Sequence, residues 1–286
     1  MTQDNQHHPE SALIEATRIE DSREAYLSTK KLLEAGEDPN QLDPTTGSSP
    51  LLEAWISGRI DIMRALIEAG ADGQILSSLP FDLTWEFLRV TPEATLLLIE
   101  SGFTLDSLYK RNQLDETVCN GENLIAFLLD AGRYDFIEAL KPHGILNFIH
   151  AYDCLGNSPL GDMARDGHLE QAKWLLQRGV DVNAHCEYTN GSTALDKAVE
   201  SANVDMTRLL LDAGANPNIP TWMWITATNR AVDFAADFEF RTKLSQSISN
   251  AQQIREMVLE ASKKFPKPIY PNGTTPDAWP PLPKKK

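Results

Sequence analysis

Three stretches of the chain share one pattern of apolar and polar positions. Apolar residues recur at spacings of three and four in Ile60–Ile67, Leu169–Leu176 and Val204–Leu211. Because this spacing puts the apolar side chains on one side of a helix, each stretch is predicted to be an amphipathic helix with one buried stripe. A second helix is predicted just before each of them. Its start is marked by Ser49-Pro50, Ser158-Pro159 or Ser192-Thr193, where a hydroxyl can cap free amides and proline fits the first turn.

The glycines that end the predicted second helices recur at a nearly constant interval. They are separated by 34, 32, 42, 35 and 35 residues and lie at Gly36, Gly70, Gly102, Gly144, Gly179 and Gly214. Glycine after a helix takes the left-handed conformation that closes it. Since two short helices cannot bury their apolar stripes alone, the pattern predicts units that stack into a continuous core.

The best-formed units carry Ser158-Pro159-Leu160 and Gly179-Val180-Asp181-Val182-Asn183-Ala184. These motifs resemble those of the ankyrin repeat, and the chain is similar to a divergent ankyrin-repeat protein of bacterial type. The resemblance implies an all-α ankyrin-repeat solenoid of about seven helix-turn-helix units with degenerate capping repeats. We expect this domain at residues 11–262, after a flexible N-terminus at 1–10 and before a Pro/Lys-rich tail at 263–286.

Not all units match equally well. Ser77–Asp106 and Asp115–Phe148 match weakly, and the first unit, Ser11–Asn40, is degenerate. The last unit is expected at Asn229–Ser262, with a long link at Asp237–Asn250 that modifies the C-terminal cap. Such end units fit the need for a polar cap on a stack of repeats.

Charge narrows the choice of partner. The chain has 26 Lys and Arg against 41 Asp and Glu, a net charge of −15. This field repels phosphate backbones and would speed encounter with a basic protein, so we expect a protein partner of basic character and no nucleic acid. The longest apolar stretches fall short of the roughly 18 residues that span a bilayer, and no secretory signal is evident. We therefore expect a cytoplasmic protein without membrane contact.

Ankyrin proteins, by the resemblance, bind partners through hairpin loops between repeats and through first-helix residues on a concave surface. A 35-residue period makes Tyr152, Glu187 and Trp222 equivalent hairpin positions, and Trp224 lies beside the last of them. Tyrosine and tryptophan are favoured binding anchors. The two tryptophans are equally compatible with an inward position that shields the cap.

First-helix positions on the expected concave side are mostly acidic. They can be interpreted in two ways, as an acidic binding surface for a basic partner or as an ordinary solvated face. The positions are Glu53, Asp162, Arg165, Asp166, Lys197, Glu200, Asp233 and Asp237.

The sequence offers little support for catalysis. It has no Gly-rich phosphate loop, nucleophile elbow or His-Glu-x-x-His motif, and its three cysteines lack the spacing of a zinc site. We therefore expect a non-catalytic binding module without cofactor or metal, in its sharper form an inhibitor or immunity protein that neutralises a toxin or enzyme. The alternatives are an adaptor that recruits a second protein through the proline-rich tail, and an enzyme built on Asp106–Phe148.

Overall fold

The computed structural model describes most of the chain, and all regular secondary structure in the described part is helical. The described residues are 11–78, 83–106, 123–153, 155–186, 191–221, 225–241 and 245–267. The predicted flexible N-terminus and residues 268–286 of the predicted tail lie outside these ranges. The expected domain boundaries remain predictions.

Helices follow one another in pairs, and the described residues contain seven such pairs, here called repeats one to seven. The first helices are Ala12–Arg18, Pro50–Ile56, the 3-10 segment Thr84–Leu88, Leu124–Asp130, Pro159–Asp166, Ala194–Glu200 and Ala227–Arg241. The second helices are Ser22–Glu34, Ile60–Glu68, Pro92–Glu100, Tyr134–Leu140, Leu169–Leu176, Val204–Asp212 and Ser245–Ser262. The prediction of an all-α stack of about seven units is confirmed.

The chain forms two compact units. The first comprises Met1–Leu124 and Ala131–Leu146, and the second comprises Ile125–Asp130 and Asn147–Lys286. In the first unit, Trp55, Phe87 and Phe136 are fully buried. In the second unit, Leu160, Leu175 and Leu210 are completely buried. Each unit therefore has its own apolar core of the kind that holds stacked repeats together.

Hydroxyl caps begin the first helices where the sequence predicts them. The Oγ atoms of Ser49 and Ser158 accept hydrogen bonds from backbone N–H groups three residues on, at 3.1 Å in both cases. Thr193 forms a reciprocal capping box, because its Oγ1 accepts from the Asp196 N–H at 3.1 Å and its own N–H donates to Asp196 Oδ2 at 3.0 Å. Each cap satisfies amides that would otherwise lack partners at the start of a helix.

The glycines that end the second helices have positive φ angles, between 78° and 109°, as predicted. A further set links the two helices within a repeat, at Gly58, Gly132 and Gly167. Repeat six departs from this rule, because Ala202 stands at the linking position with a φ of 52°. A side chain with a Cβ is strained in this left-handed region.

Asparagine side chains join the end of one repeat to the end of the next. Asn40 Oδ1 accepts the Asp72 N–H at 2.8 Å, and Asn183 Oδ1 accepts the Asn216 N–H at 2.7 Å. Asn218, one 35-residue period after Asn183, donates to the carbonyl oxygens of Ser262, Phe265 and Pro266 at 3.1–3.3 Å. The same sequence position thus fixes the register of successive repeats.

Repeat seven differs from the prediction. The long link expected at Asp237–Asn250 is wrong, because one helix continues to Arg241 and the next begins at Ser245. The stretch contains no glycine or proline to interrupt a helix. The first helix also begins earlier than expected, at Ala227, since Thr226 Oγ1 accepts the Asn229 N–H at 3.1 Å and caps it there.

Candidate functional site

The candidate site consists of first-helix positions that recur from repeat to repeat. Counting back from the residue that caps the second helix, Glu53, Asp162 and Lys197 occupy one equivalent position, six residues before Arg59, His168 and Asn203. Three residues further on are Arg165 in repeat five and Glu200 in repeat six. The side chains of this set in the second compact unit, together with Asp166, Arg230 and Asp233, are called the first-helix face below, and Glu53 is the equivalent position in the first unit.

In the first unit, Glu53 is paired rather than free. Its Oε1 accepts hydrogen bonds from Arg18 Nη2 at 2.7 Å and from Ser48 Oγ at 2.6 Å. Burial alone would raise the pKa of Glu53, but the bonds from Arg18 and Ser48 outweigh it and lower the pKa below its ordinary value. The carboxylate is therefore ionised at neutral pH and already neutralised by an arginine.

In repeat five, Arg165 lies between two carboxylates. Its Nη1 is 2.9 Å from Asp162 Oδ1, and its Nε and Nη2 donate to the two oxygens of Asp166 at 2.9 and 2.8 Å. Burial raises the pKa of Asp162 to about 7, although Arg165 opposes the shift. The hydrogen bonds from Arg165 hold the pKa of Asp166 below its ordinary value. Two adjacent acids thus differ in charge state near neutral pH.

Arg230 connects the first helices of repeats six and seven. It forms an ion pair with Glu200, and its Nε lies 3.3 Å from Oδ1 of the fully buried Asp196. Thr193 Oγ1 donates to the other oxygen of Asp196 at 2.8 Å, and burial raises the pKa of Asp196. Arg230 therefore bridges a buried acid and a half-buried one.

These contacts change the expected electrostatics of the face. Arg18, Arg165 and Arg230 each pair with at least one of the predicted acids. Asp233 is exposed, and the side chain of Asp237 lies outside the described part of the structure. The described face is therefore a mixed array of ion pairs with a small excess of acid.

Of the predicted hairpin residues, Tyr152 is described. It is half-buried, and its hydroxyl donates to the His185 carbonyl oxygen at 3.2 Å, which ties the hairpin before repeat five to the next one. Glu187, Trp222 and Trp224 lie outside the described residues. The residues that flank the two tryptophans are joined, since the Thr221 N–H donates to the Ile225 carbonyl at 2.9 Å.

Two residues that the sequence analysis did not select occupy first-helix positions of repeat three. Trp85 lies six residues before the cap Thr91, as Glu53 and Asp162 do in their repeats, and Leu88 lies three before it. Their side chains are 54% and 42% exposed. The sequence did not indicate this equivalence, because repeat three lacks the Ser-Pro start and the linking glycine of repeat two. Its first helix is a short 3-10 segment.

Two kinds of feature are absent from the described residues. No described helix is long and apolar enough to cross a membrane. The described part of the chain also holds no cluster of three or more His, Cys, Asp and Glu arranged to bind a metal ion.

Comparison with known proteins identifies the repeats. A family model described as ankyrin repeats in three copies matches residues 150–221. The ankyrin repeat domain-containing protein SAT10 of Stachybotrys chartarum is 43% identical over 63 residues, which are 22% of this chain and 3% of that protein. The ankyrin repeat and KH domain-containing protein mask-1 of Caenorhabditis elegans is 26% identical over 188 residues, or 66% of this chain and 6% of that protein. The chain thus spans only a small fraction of these relatives.

A solved structure supports the fold beyond the matched segment. The ankyrin repeat domain of Bcl-3 superposes with a TM-score of 0.57 at 19% identity, covering 84% of this chain and 97% of that one. This fold is typically a non-catalytic scaffold for protein–protein interaction. The expected bacterial origin remains a prediction. With its recurring helix pairs and closing glycines, the chain has the fold of stacked ankyrin repeats, and residues 150–221 match the ankyrin-repeat family itself.

Proposed function

We propose that the chain is a non-catalytic module that binds one protein partner through its first-helix face and hairpin loops. The observation that carries the proposal is the recurrence of charged side chains at one first-helix position in repeats two, five and six, on helices whose opposite sides are fully buried. Glu53, Asp162 and Lys197 share this position; Glu53 and Lys197 are half-buried, whereas Asp162 is buried and pairs with the more exposed Arg165. Repeated helices held by a packed core present such side chains in a fixed geometry, so binding needs little ordering of the face.

The net charge of −15 favours a basic protein as the partner. Long-range attraction would raise the association rate, whereas the local ion pairs on the face would set which partner fits. An enzyme or toxin that is neutralised when its active surface is covered is the sharper version. No membrane or nucleic-acid contact and no catalytic role are part of this proposal.

The test begins with affinity purification from the native cell, identification of the co-purified protein, and reconstitution from purified components. Asp233→Asn with Glu200→Gln should slow association several-fold, with a smaller effect at high salt, because charge steering is screened. Glu68→Gln with Glu256→Gln, both exposed on second helices, is the matched control. Equal effects of the two pairs, or a partner that binds without any salt dependence, would argue against a basic partner at this face.

The hairpin contribution is tested separately. Trp222→Ala combined with Trp224→Ala should raise the dissociation constant at least about tenfold if these side chains are anchors. If they shield the cap instead, the double variant would lower the unfolding midpoint and leave the affinity of the folded protein unchanged.

A further inference from the structure

Trp85, Leu88 and Arg89 form an exposed patch in repeat three, in the first compact unit. Because a 3-10 helix has three residues per turn, side chains at positions 85 and 88 lie on the same side. They are 54% and 42% exposed, while Phe87 between them is fully buried. Trp85 and Leu88 therefore lie on the exposed side of the segment, and Phe87 lies on its buried side.

The segment that carries the patch is fixed from beneath. Phe87 packs edge-on against Trp55 and Phe136, with ring centroids 5.5 Å apart in both pairs. Arg133 donates to the carbonyl oxygens of Phe87, Leu88 and Val90 at 2.7, 3.0 and 3.1 Å. A short 3-10 turn is a weak element by itself, so these contacts give Trp85 and Leu88 a defined position before any partner arrives.

Charge indicates what would cover the patch. Arg89 is exposed in the turn that follows, and within the described residues its guanidinium forms no ion pair, unlike Arg18, Arg165 and Arg230. In the described part of the chain no ion pair joins Arg89 to Glu86, the carboxylate nearest to it in the sequence, and Glu86 Oε2 is buried without a hydrogen-bond partner. Tryptophan and arginine are also the residue types that contribute most to binding energy at interfaces.

We propose that the patch of Trp85, Leu88 and Arg89 is the anchoring site for a protein segment that presents an apolar side chain next to a carboxylate. This inference rests on the proposed function. It adds a local preference for acid at repeat three, within a chain whose overall charge favours a basic partner. Trp85 and Leu88 would cover the apolar side chain, and Arg89 would bind the carboxylate through its planar donor group.

The test uses the full chain and a displayed library of random twelve-residue peptides as the probe. Selected peptides should share an aspartate or glutamate next to a large apolar residue. In fluorescence polarisation, Trp85→Ala and Leu88→Ala should each weaken the selected peptide about tenfold or more. Arg89→Glu should do the same, and should bind a peptide with lysine in place of the acid better than the wild-type chain does.

Controls use exposed residues away from the patch. Leu27→Ala, on the second helix of repeat one and 56% exposed, and Arg255→Glu, on the last helix, should leave peptide affinity unchanged. All the patch residues are exposed, so each variant should keep the wild-type urea midpoint, which excludes loss of fold as the cause.

Four results would overturn the inference: no specific peptide, peptides without an acid, affinity that survives Trp85→Ala, or a dimer of the chain that Trp85→Ala dissociates. A selected sequence that matches residues 279–283 of the chain itself would also overturn it, by identifying the tail as the occupant. None of these results bears on the proposed function, which is judged with a folded partner and with variants outside this patch.

Discussion

The guanidinium of Arg133 lies 4.4 Å from the centre of the Phe136 ring, and the same group donates three hydrogen bonds to the backbone of the preceding repeat. The Nε atom of Arg133 also forms an ion pair with Asp135 Oδ1 at 3.1 Å. One side chain thus joins repeat four to the irregular first helix of repeat three. Arg133 is the N-cap of the second helix of repeat four, and Arg59, at the same position in repeat two, likewise donates to the carbonyl oxygens of Ile19 and Glu20 in the preceding repeat.

Replacing Arg133 should destabilise the first compact unit. Arg133→Ala leaves three carbonyl oxygens without their donor and removes a cation–π contact, so we expect a loss of about 2–4 kcal/mol in the free energy of unfolding. Arg133→Lys should recover little, because a lysine lacks the planar fork. Urea unfolding measures the change. Arg208→Ala, which removes an exposed ion pair with Asp205, is the control and should cost less than about 1 kcal/mol. Similar losses for the two alanine variants would contradict the assigned role.

The stability of the chain should depend on pH through Asp162. Its pKa is about 7 in the folded state and near 3.8 when unfolded, so the folded state binds the proton more tightly. The contribution of Asp162 to stability therefore falls as pH rises from about 4 to 7, and is constant above 7, with a slope of at most about 1.4 kcal/mol per pH unit.

Asp162→Asn removes this titration. Relative to wild type, the variant should gain stability between pH 5 and pH 7 in urea unfolding. Asp166→Asn is the matched control, because the pKa of Asp166 is lowered and its contribution is lost only at lower pH. Parallel pH profiles for wild type and Asp162→Asn would show that Asp162 does not titrate in this range.

Ala202→Gly should stabilise the chain. Ala202 has a φ of 52°, a conformation that glycine adopts without strain because it lacks a Cβ atom. The equivalent residues in repeats two and five, Gly58 and Gly167, are already glycines. We expect a gain of about 0.5–1 kcal/mol, after the larger entropy of glycine in the unfolded chain is included. Ala213→Gly, at an exposed position with a φ of −76°, should instead lose stability. Thermal unfolding distinguishes the two, and a loss at Ala202→Gly would contradict the strain argument.

Asn218→Ala should loosen the C-terminal repeat. The amide of Asn218 donates to the carbonyl oxygen of Ser262, the last residue of the last helix, and to two carbonyl oxygens beyond it, and its Oδ1 accepts from Thr228 Oγ1 at 3.0 Å. Loss of this buried network should cost about 1–3 kcal/mol. Amide hydrogen exchange should increase in Ser245–Ser262 more than in Leu169–Leu176. Asn147→Ala, on an exposed side chain, should change neither region.

The sequence predicted the features that depend on local chemistry. Hydroxyl caps at Ser49 and Ser158 and closing glycines such as Gly179 act within a few residues, so their positions could be assigned from the chain alone. The helix boundaries of repeat seven were harder to predict. They depend on whether a glycine or proline interrupts the helices, and the usual spacing of the repeat does not determine them. Arg241 and Ser245 therefore lie inside what was expected to be a link.

The charge state of the candidate site could not be predicted in the same way. Arg18 and Glu53 are 35 residues apart, and Arg230 and Glu200 are 30 apart, so their pairing depends on how neighbouring repeats pack. The exposure of Trp85 likewise depends on the 3-10 geometry of Thr84–Leu88. Apolar side chains in a weak repeat would ordinarily be assigned to its core.

The most direct test of the proposed function is the footprint of the reconstituted partner, measured by hydrogen–deuterium exchange on the full chain with and without that partner. Binding through the first-helix face and hairpins predicts slower exchange in Pro159–Asp166, Ala194–Glu200 and the loops around Tyr152 and Thr221. Exchange in Leu169–Leu176 and Val204–Asp212 should change little. Protection confined to those second helices, with the first helices and hairpin loops unaffected, would contradict the account.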